Sequence, residues 1–288
     1  MEHTTDRLFV GIGSRRYRIE RPWGSMPPGS TLGQVSHVGV DSRDHVYAVL
    51  RRDAVADPVP ADPIVVFDAQ GEFVGSWGKE WIADAHGIFI TRDDVVFVAD
   101  RDAHQVCAFS RDGELLRTLG RRHRPLEPFN HPADIAVGPD GDIYVADGYG
   151  NSQVHRFSRD GNLLRTWGRP GRGPGEFGLP HAVWVLRDGR VLVADRENCR
   201  VQVFTREGEY LTEWPDLYHP ADIYVDAEGI VYVTDETPRL TAVTDRGEMV
   251  GRCRPSLNTP HGIYGDSRGN LFVAELQPSR IAKLTLQS

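Results

Sequence analysis

The chain has 288 residues, of which 33 are Lys or Arg and 41 are Asp or Glu, so its formal net charge is −8. This negative balance gives no electrostatic support to nucleic-acid binding. No apolar run approaches the roughly 18 residues that a membrane helix needs. Hydrophobic residues make up 40% of the chain, but they lie in short runs without a sustained 3.6-residue period, so few helices are expected.

The N-terminal segment and the cysteines both indicate a cytoplasmic protein. The segment contains no apolar stretch after a basic start, which predicts that there is no secretion signal. Cys107, Cys199 and Cys253 are odd in number and lie far apart, so we expect three free thiols in a reducing compartment.

A unit of about 40–50 residues recurs along the chain, and four short strands at this spacing are typical of a β-propeller blade. Each copy has an alternating apolar segment, an Asp/Gly turn and a segment rich in Val, Tyr and Phe, which is a β-hairpin signature. Most copies add a third strand and a fourth that ends in Trp-Gly or similar. The sequence therefore predicts one all-β, six-bladed domain over residues 1–288, with copies beginning near 36, 85, 130, 180, 218 and 260.

The two ends of the chain are expected to close the propeller by pairing with each other. The last copy stops at Ile281–Leu286, after its third strand, whereas residues 7–24 end in the same Trp-Gly as fourth strands elsewhere. We therefore expect residues 7–24 to supply the outer strand of the last blade, which removes an open sheet edge.

Every copy carries a histidine near the start of its first strand. Because innermost strands converge on the propeller channel, equivalent positions are expected to form a ring around the axis. We group three of the histidines as repeat consensus that packs at strand starts, and two of these share the word HPADI. The three are His37, His131 and His219.

The other three histidines belong to alternate copies and are related by an approximate threefold axis. They are His86, His181 and His261, followed by Gly-Ile or Ala-Val. Three converging imidazoles give a metal three ligands and leave a fourth position open, as in catalytic zinc sites. The alternative for these three is also simple packing at the strand starts.

The repeat consensus resembles that of the NHL family of propellers. It has a leading His or Pro, a Gly-containing turn, an apolar residue before Tyr-Val-Ala-Asp, and then Arg-Val-x-x-Phe. The resemblance covers essentially the whole chain. Since propellers serve as binding platforms, lyases, lactonases and structural modules, the fold alone does not fix the function.

A closer resemblance is to the peptidyl-α-hydroxyglycine α-amidating lyases, which split α-hydroxyglycine-extended peptides into an amide and glyoxylate. It is densest in the words ADGYGNSQVHRFSRDG, PGEFGLPHAVWV and VLVADRENCRVQVF, and it recurs in LGQVSHVGVDSRDHVYAVLRRD and TPHGIYG. The resemblance implies that His86, His181 and His261 are zinc ligands.

The same resemblance implies roles for a tyrosine and two arginines. Tyr149 matches the general base that acts on the substrate hydroxyl, and a nearby cation and metal are expected to lower its pKa. Arg196 and Arg51 match active-site arginines, whose planar forks suit substrate carboxylate or carbonyl oxygens. Arg52 is the alternative to Arg51, because neighbouring strand residues point to opposite faces.

Two departures separate this chain from that family. Gly262 follows His261 where the family has an aspartate that contributes to a structural calcium site, so we do not expect calcium to bind in the same way. Gly150 stands where animal members have a disulfide cysteine. Because a cytoplasmic setting is expected, a small α-hydroxy amide or ureido acid is a candidate substrate beside a peptide that ends in an α-hydroxyglycine-like group.

Three functions remain open from the sequence. The first is the metal-dependent lyase, with no nucleic-acid or membrane partner. The second is a non-enzymatic NHL propeller whose top face binds a protein or another ligand. The third is a propeller hydrolase or lactonase, which would usually use acidic metal ligands. The segments 168–180 and 54–63 are candidate rims over the site.

Overall fold

Twenty-five β-strands, numbered β1 to β25 in chain order, appear in the computed structural model, which describes residues 8–52, 62–254 and 257–287. They form six antiparallel sheets, the blades, whose innermost strands contact one another in a closed ring. Helical structure within these ranges is limited to one 3₁₀ turn at Arg196–Asn198, and none is long and apolar enough to cross a membrane. The predicted six-bladed, all-β propeller is confirmed.

Five blades are built from strands that follow one another in sequence. Blade 1 contains β3 (Gln34–Val40), β4 (Val46–Arg51), β5 (Ile64–Phe67) and β6 (Phe73–Trp77). Blade 2 contains β7 (Ala85–Ile90), β8 (Val96–Asp100), β9 (Gln105–Phe109) and β10 (Leu115–Leu119). Blade 3 contains β11 (Asp134–Val137), β12 (Ile143–Asp147), β13 (Gln153–Phe157) and β14 (Leu163–Trp167).

The next two blades repeat the same order. Blade 4 contains β15 (Pro180–Val185), β16 (Val191–Asp195), β17 (Arg200–Phe204) and β18 (Tyr210–Trp214). Blade 5 contains β19 (Pro220–Val225), β20 (Val231–Asp235), β21 (Arg239–Val243) and β22 (Met249–Cys253). The second strands of these blades, β16 and β20, are buried along their whole length, as expected for sheets packed on both faces.

The last blade joins the two ends of the chain. It contains β23 (Pro260–Gly265), β24 (Leu271–Glu275) and β25 (Arg280–Gln287), followed by β2 (Arg15–Trp23) and β1 (Leu8–Ile12). β2 pairs antiparallel with β25, so the predicted closure by an N-terminal strand is confirmed. The N-terminal segment supplies a hairpin and not a single strand, because the positive φ of Gly13 lets β1 turn back onto β2.

A β-bulge near the start of the innermost strands brings two consecutive residues of each strand next to the neighbouring innermost strand. The pairing register shifts there in β3, β7, β15, β19 and β23. The first of the two residues forms an upper ring, made of Ser36, His86, Ala133, His181, Ala221 and His261. The second forms a lower ring, made of His37, Gly87, Asp134, Ala182, Asp222 and Gly262.

Below the two rings, aromatic side chains fill the channel. Trp184 lies between Phe89, Tyr224 and Tyr264, with ring centroids 5.6, 5.6 and 5.9 Å away, and the two tyrosine rings are 5.0 Å apart. A ligand can therefore reach the rings from the top face, where the innermost strands begin.

Candidate functional site

The upper ring brings three buried imidazoles together. The ring centroids of His86 and His181 are 5.0 Å apart, those of His86 and His261 are 5.2 Å apart, and those of His181 and His261 are 4.8 Å apart. One nitrogen from each residue lies within 4.8 Å of the others. The alternate copies grouped from the sequence thus place their histidines at one point on the axis.

Backbone carbonyl groups fix the orientation of each imidazole. The Nδ1 atoms of His86, His181 and His261 lie 2.8, 2.6 and 2.7 Å from carbonyl oxygens of the neighbouring blades, at Ala133, Ala221 and Ser36. A carbonyl oxygen only accepts hydrogen bonds, so each Nδ1 carries the proton and each Nε2 keeps a lone pair. Such hydrogen bonds are typical of the groups that orient metal-binding histidines.

The surroundings also keep these imidazoles neutral. Burial lowers the pKa of His181 to about 3, and burial together with the neighbouring histidines lowers the pKa of His86 and His261 well below the usual value. Three neutral nitrogen donors that converge within 4.8 Å of one another fit a divalent transition metal such as zinc. The residues present therefore suit the metal that the resemblance implies.

Tyr149 lies directly over this cluster. Its hydroxyl is 2.9 Å from Nε2 of His86 and 3.0 Å from Nε2 of His181. The loop that carries it passes so close to blade 4 that a Cβ atom on Gly148 would lie 2.1 Å from the carbonyl oxygen of Pro180. Glycine at this position is thus a steric requirement. Residue Tyr149 is 38% exposed, so a ligand on the top face can reach it.

Three arginines surround Tyr149. The guanidinium groups of Arg51 and Arg101 both contact the buried carboxylate of Asp84, each at 2.9 Å. The guanidinium of Arg101 also lies 5.4 Å from the centroid of the Tyr149 ring, within the range of a cation–π contact. Arg196 lies on the other side, where its Nε donates to Glu236 at 3.0 Å.

These charges oppose the effect of burial on Tyr149. Burial raises the pKa of the phenol, and the positive charges of Arg51, Arg196 and Arg101 lower it. The net shift is upward, so the protein groups alone do not lower the Tyr149 pKa as the sequence analysis expected. A bound cation would act in the same direction as the arginines.

The side chain of Arg51, and not that of Arg52, lies at the site. Arg51 donates to Asp84 through Nε at 3.0 Å, and its charge acts on Tyr149 and on all three clustered histidines. The contact of Arg52 with Asp84 is made by its backbone N–H, also at 3.0 Å. The alternation of side chains along β4 explains the difference.

Asp84, Arg101 and Glu236 were missed by the sequence analysis. Arg101 and Glu236 directly follow the words VAD and VTD, just as Arg196 follows VAD in its own copy. Aligning the six copies on this word would have found both residues. Asp84 carries no such signal, because its link to Arg51 is known only from the folded chain.

The expectation of six equivalent histidines is wrong. His131 and His219 precede β11 and β19, with φ angles of 62° and 46°, two residues ahead of the upper-ring positions. His131 packs beside His104 with ring centroids 4.3 Å apart, and His219 stacks on Tyr218 at 4.6 Å. The shared word HPADI places alanine, and not histidine, in the upper ring.

His37 differs from both groups, since it lies in the lower ring. Its Nε2 is 2.9 Å from Oδ2 of Asp222 and 4.0 Å from Oδ1 of Asp134, and all three side chains are buried. Burial would lower the pKa of His37, but these carboxylates outweigh it and raise the pKa to about 9. The lower ring therefore holds an imidazolium between two acidic side chains.

The lower ring does not fit calcium, which takes six to eight oxygen ligands. His37 is a nitrogen donor that is already paired with the carboxylates. In addition, a Cβ atom on Gly262 would lie 2.5 Å from Cα of His37, so no aspartate can occupy that position without a shift of the backbone. This finding agrees with the expectation drawn from Gly262.

The contacts of His37 with Asp222 and Asp134 predict a decline in the stability of the fold at alkaline pH. The folded pKa lies near 9 and the unfolded value near 6.5, so its contribution is complete below pH 6.5 and lost as pH rises through 9. We expect the unfolding free energy to fall by at most about 3 kcal/mol over this range. Denaturant unfolding should show a flatter pH profile for His37→Gln, whereas the exposed-site control His123→Gln should follow the wild type. Parallel profiles for all three proteins would contradict the assignment.

The structure describes all of candidate rim segment 168–180 but only the end of segment 54–63. In segment 168–180, the carbonyl oxygens of Gly173 and Glu176 each accept a hydrogen bond from the Arg200 guanidinium at 2.9 Å, which ties the segment to β17. Of segment 54–63, residues 54–61 lie outside the described ranges.

Comparison with known proteins identifies the repeat. The NHL repeat model matches residues 129–157 and 177–204. Human NHL repeat-containing protein 3 is 34% identical, with 93% of this chain and 83% of that protein covered. A probable peptidyl-α-hydroxyglycine α-amidating lyase from Caenorhabditis elegans is 27% identical, with 91% and 85% covered.

Larger relatives contain the same region. The peptidyl-glycine α-amidating monooxygenase of Mus musculus is 30% identical over 90% of this chain, and the chain spans 31% of its length. Among solved structures, a gluconolactonase from Xanthomonas campestris gives a TM-score of 0.70 at 15% identity, with 96% and 91% covered. A streptogramin B lyase gives 0.67 at 14%, with 97% and 90% covered. These structural likenesses show the fold alone, whereas the sequence matches show that the chain belongs to the NHL-repeat family of β-propellers, whose members similar to it include amidating lyases.

Proposed function

We propose that this protein is a metal-dependent carbon–nitrogen lyase that cleaves an α-hydroxyglycine-type carbinolamide into an amide and glyoxylate. The observation that carries the proposal is the Tyr149 hydroxyl, which contacts Nε2 of His86 and of His181 in a cluster of three neutral imidazoles. The relatives named as amidating lyases support the same class of reaction.

The reaction requires the substrate hydroxyl to lose its proton while the C–N bond breaks. Tyr149 is placed to accept this proton and to return it to the leaving nitrogen, so the proton balance closes within the site. The electrons of the O–H bond form the carbonyl of glyoxylate, and those of the C–N bond leave with the amide. Arg51 and Arg196 favour the phenolate form of Tyr149 against the effect of burial.

The three clustered histidines would hold the metal, zinc or another divalent transition metal, through their Nε2 atoms. When bound, such an ion supplies positive charge that stabilises an oxygen anion. The protein contributes three pre-oriented neutral donors, because the carbonyl groups of Ala133, Ala221 and Ser36 already fix the rings.

The channel sets a limit on how the substrate enters. Aromatic side chains fill the space below the two rings, so the α-hydroxyglycine end binds near Tyr149 and the rest of the molecule stays on the top face. A small α-hydroxy amide, an α-hydroxy ureido acid or a peptide end can meet this condition. We propose a cytoplasmic location, since Cys107, Cys199 and Cys253 form no disulfide.

The test is product formation from N-benzoyl-α-hydroxyglycine by the purified full-length chain. We expect equal amounts of benzamide and glyoxylate, loss of both after treatment with a chelator, and recovery on adding zinc. If no glyoxylate forms although one metal is bound per chain, the reaction proposed here is wrong. If neither metal nor product is found, the non-enzymatic NHL propeller is the better interpretation.

Two alternatives predict different results in the same experiment. A binding propeller needs no metal in order to fold, and it would release no glyoxylate. A lactonase would open a lactone and release no glyoxylate, and the gluconolactonase likeness shows only the fold. The cluster of three histidines, to which the described part of the chain adds no acidic side chain, favours the lyase over this second alternative.

A further inference from the structure

The residues that follow the second strand of each blade form the rim of the channel. In five blades, one rim residue donates its backbone N–H to a carbonyl two residues ahead of the upper-ring position, at 2.9 to 3.4 Å. This shared hydrogen bond makes the five positions equivalent in the fold. They are Arg101, Tyr149, Arg196, Glu236 and Leu276.

Arg101 is thus the counterpart in blade 2 of Arg196 in blade 4. It lies beside Tyr149, over whose ring its guanidinium is placed, and it shares Asp84 with Arg51. Its side chain is 25% exposed. Within the described ranges its Nη1 atom has no hydrogen-bond partner, so Arg101 retains donors that can bind a ligand on the top face.

Charge is distributed unequally around the rim. On the side of blades 1 and 2, two guanidinium groups share the buried carboxylate of Asp84. The other acidic partner of Arg101 is Asp102, whose side chain is 49% exposed, so water screens that pair. On the side of blades 4 and 5, the single guanidinium of Arg196 contacts the carboxylates of both Glu197 and Glu236.

We propose that Arg101 is a specificity-determining residue that binds the free carboxylate of the substrate together with Arg51. This inference rests on the proposed function, whose product glyoxylate requires a free carboxylate on the substrate. The amide or ureido side then faces Glu236, whose carboxylate can accept an N–H hydrogen bond. Guanidinium groups suit this role, because their paired donors match a carboxylate geometrically.

Removing Arg101 should leave the rest of the site in place. Asp84 would keep its ion pair with Arg51 and its hydrogen bond from the backbone N–H of Arg52. The buried carboxylate would therefore not be left unpaired, which is the usual cause of large losses in stability. Arg101→Gln is thus a suitable variant, and Arg101→Lys tests the charge without the planar fork.

The experiment measures the binding of two unreactive ligands to the purified full-length chain by calorimetry. Hippurate carries the free carboxylate, and hippuramide replaces it with a neutral amide. We expect the wild type to bind hippurate at least about ten times more tightly than hippuramide, from charge-assisted hydrogen bonds. Arg101→Gln should lose most of this preference, and Arg101→Lys should keep part of it. Arg111→Gln makes the same charge change in the turn between β9 and β10. This control should bind both ligands like the wild type.

The outcomes separate this inference from the proposed function. If the wild type shows no preference, or if Arg101→Gln keeps it in full, the role of Arg101 is wrong. If the preference depends on Arg101 but no glyoxylate forms from any substrate, Arg101 binds a carboxylate ligand and the lyase assignment fails. With an active enzyme, Arg101→Gln should raise KM for the free acid more than it lowers kcat.

Discussion

His181→Ala should remove the metal and lower kcat/KM for glyoxylate release by at least about 1,000-fold, because the ion and its positive charge are then missing from the site. Only two of the three clustered imidazoles remain, and the carbonyl oxygen of Ala221 loses the hydrogen bond that Nδ1 of His181 donates. Elemental analysis and initial-rate kinetics on the same preparation give both quantities. Thermal unfolding of the metal-free proteins should be recorded as well, since His181 is buried.

The control for this substitution is His131→Ala. His131 lies before β11 and contacts His104, outside the cluster. The His131→Ala variant should keep about one metal ion per chain and most of the activity. His219→Ala is a second control for metal content alone, because Nδ1 of His219 lies 3.5 Å from Glu236, which contacts Arg196. An equal loss of metal from His181→Ala and His131→Ala would show that the histidines of the upper ring are not the ligands.

Tyr149→Phe should keep the metal and lower kcat by about 100- to 10,000-fold, the range that general acid–base catalysis supplies. The substitution removes only the hydroxyl that contacts His86 and His181, and it keeps the ring on which Arg101 lies. KM should change little. Initial rates with N-benzoyl-α-hydroxyglycine and the metal content of the same sample test this prediction.

Tyr218→Phe is the matched control, because this exposed tyrosine stacks on His219 and makes no contact with the imidazole cluster. It should retain the wild-type kcat. A Tyr149→Phe variant that keeps more than about a third of the wild-type kcat would exclude Tyr149 as the general base, since such a loss is far below what proton transfer contributes.

The architecture could be predicted because its signals are local. Hairpin turns and alternating apolar residues recur in each copy, and the number of copies gives the number of blades. The grouping of His86, His181 and His261 also needs only their places in alternate copies. Closure by residues 7–24 followed from counting strands in the last copy, and pairing of β2 with β25 agrees with it.

The rest depends on geometry that short words do not encode. One residue along the strand separates the upper ring from the lower ring, so His37 and His86 look alike in sequence and differ in place. His131 and His219 were misplaced because they precede β11 and β19, two residues ahead of the upper-ring positions. The ion pairs that join Arg51 and Arg101 through Asp84 link two blades, and no repeat pattern predicts them.

The central claim is that the upper ring holds a catalytic metal. The most direct test is elemental analysis of the full-length protein, purified without added metal, with glyoxylate release measured on the same sample. The account predicts about one zinc or similar transition metal per chain, and activity that rises and falls with this content. A protein that contains no metal, takes up none on dialysis against zinc and releases no glyoxylate would contradict it.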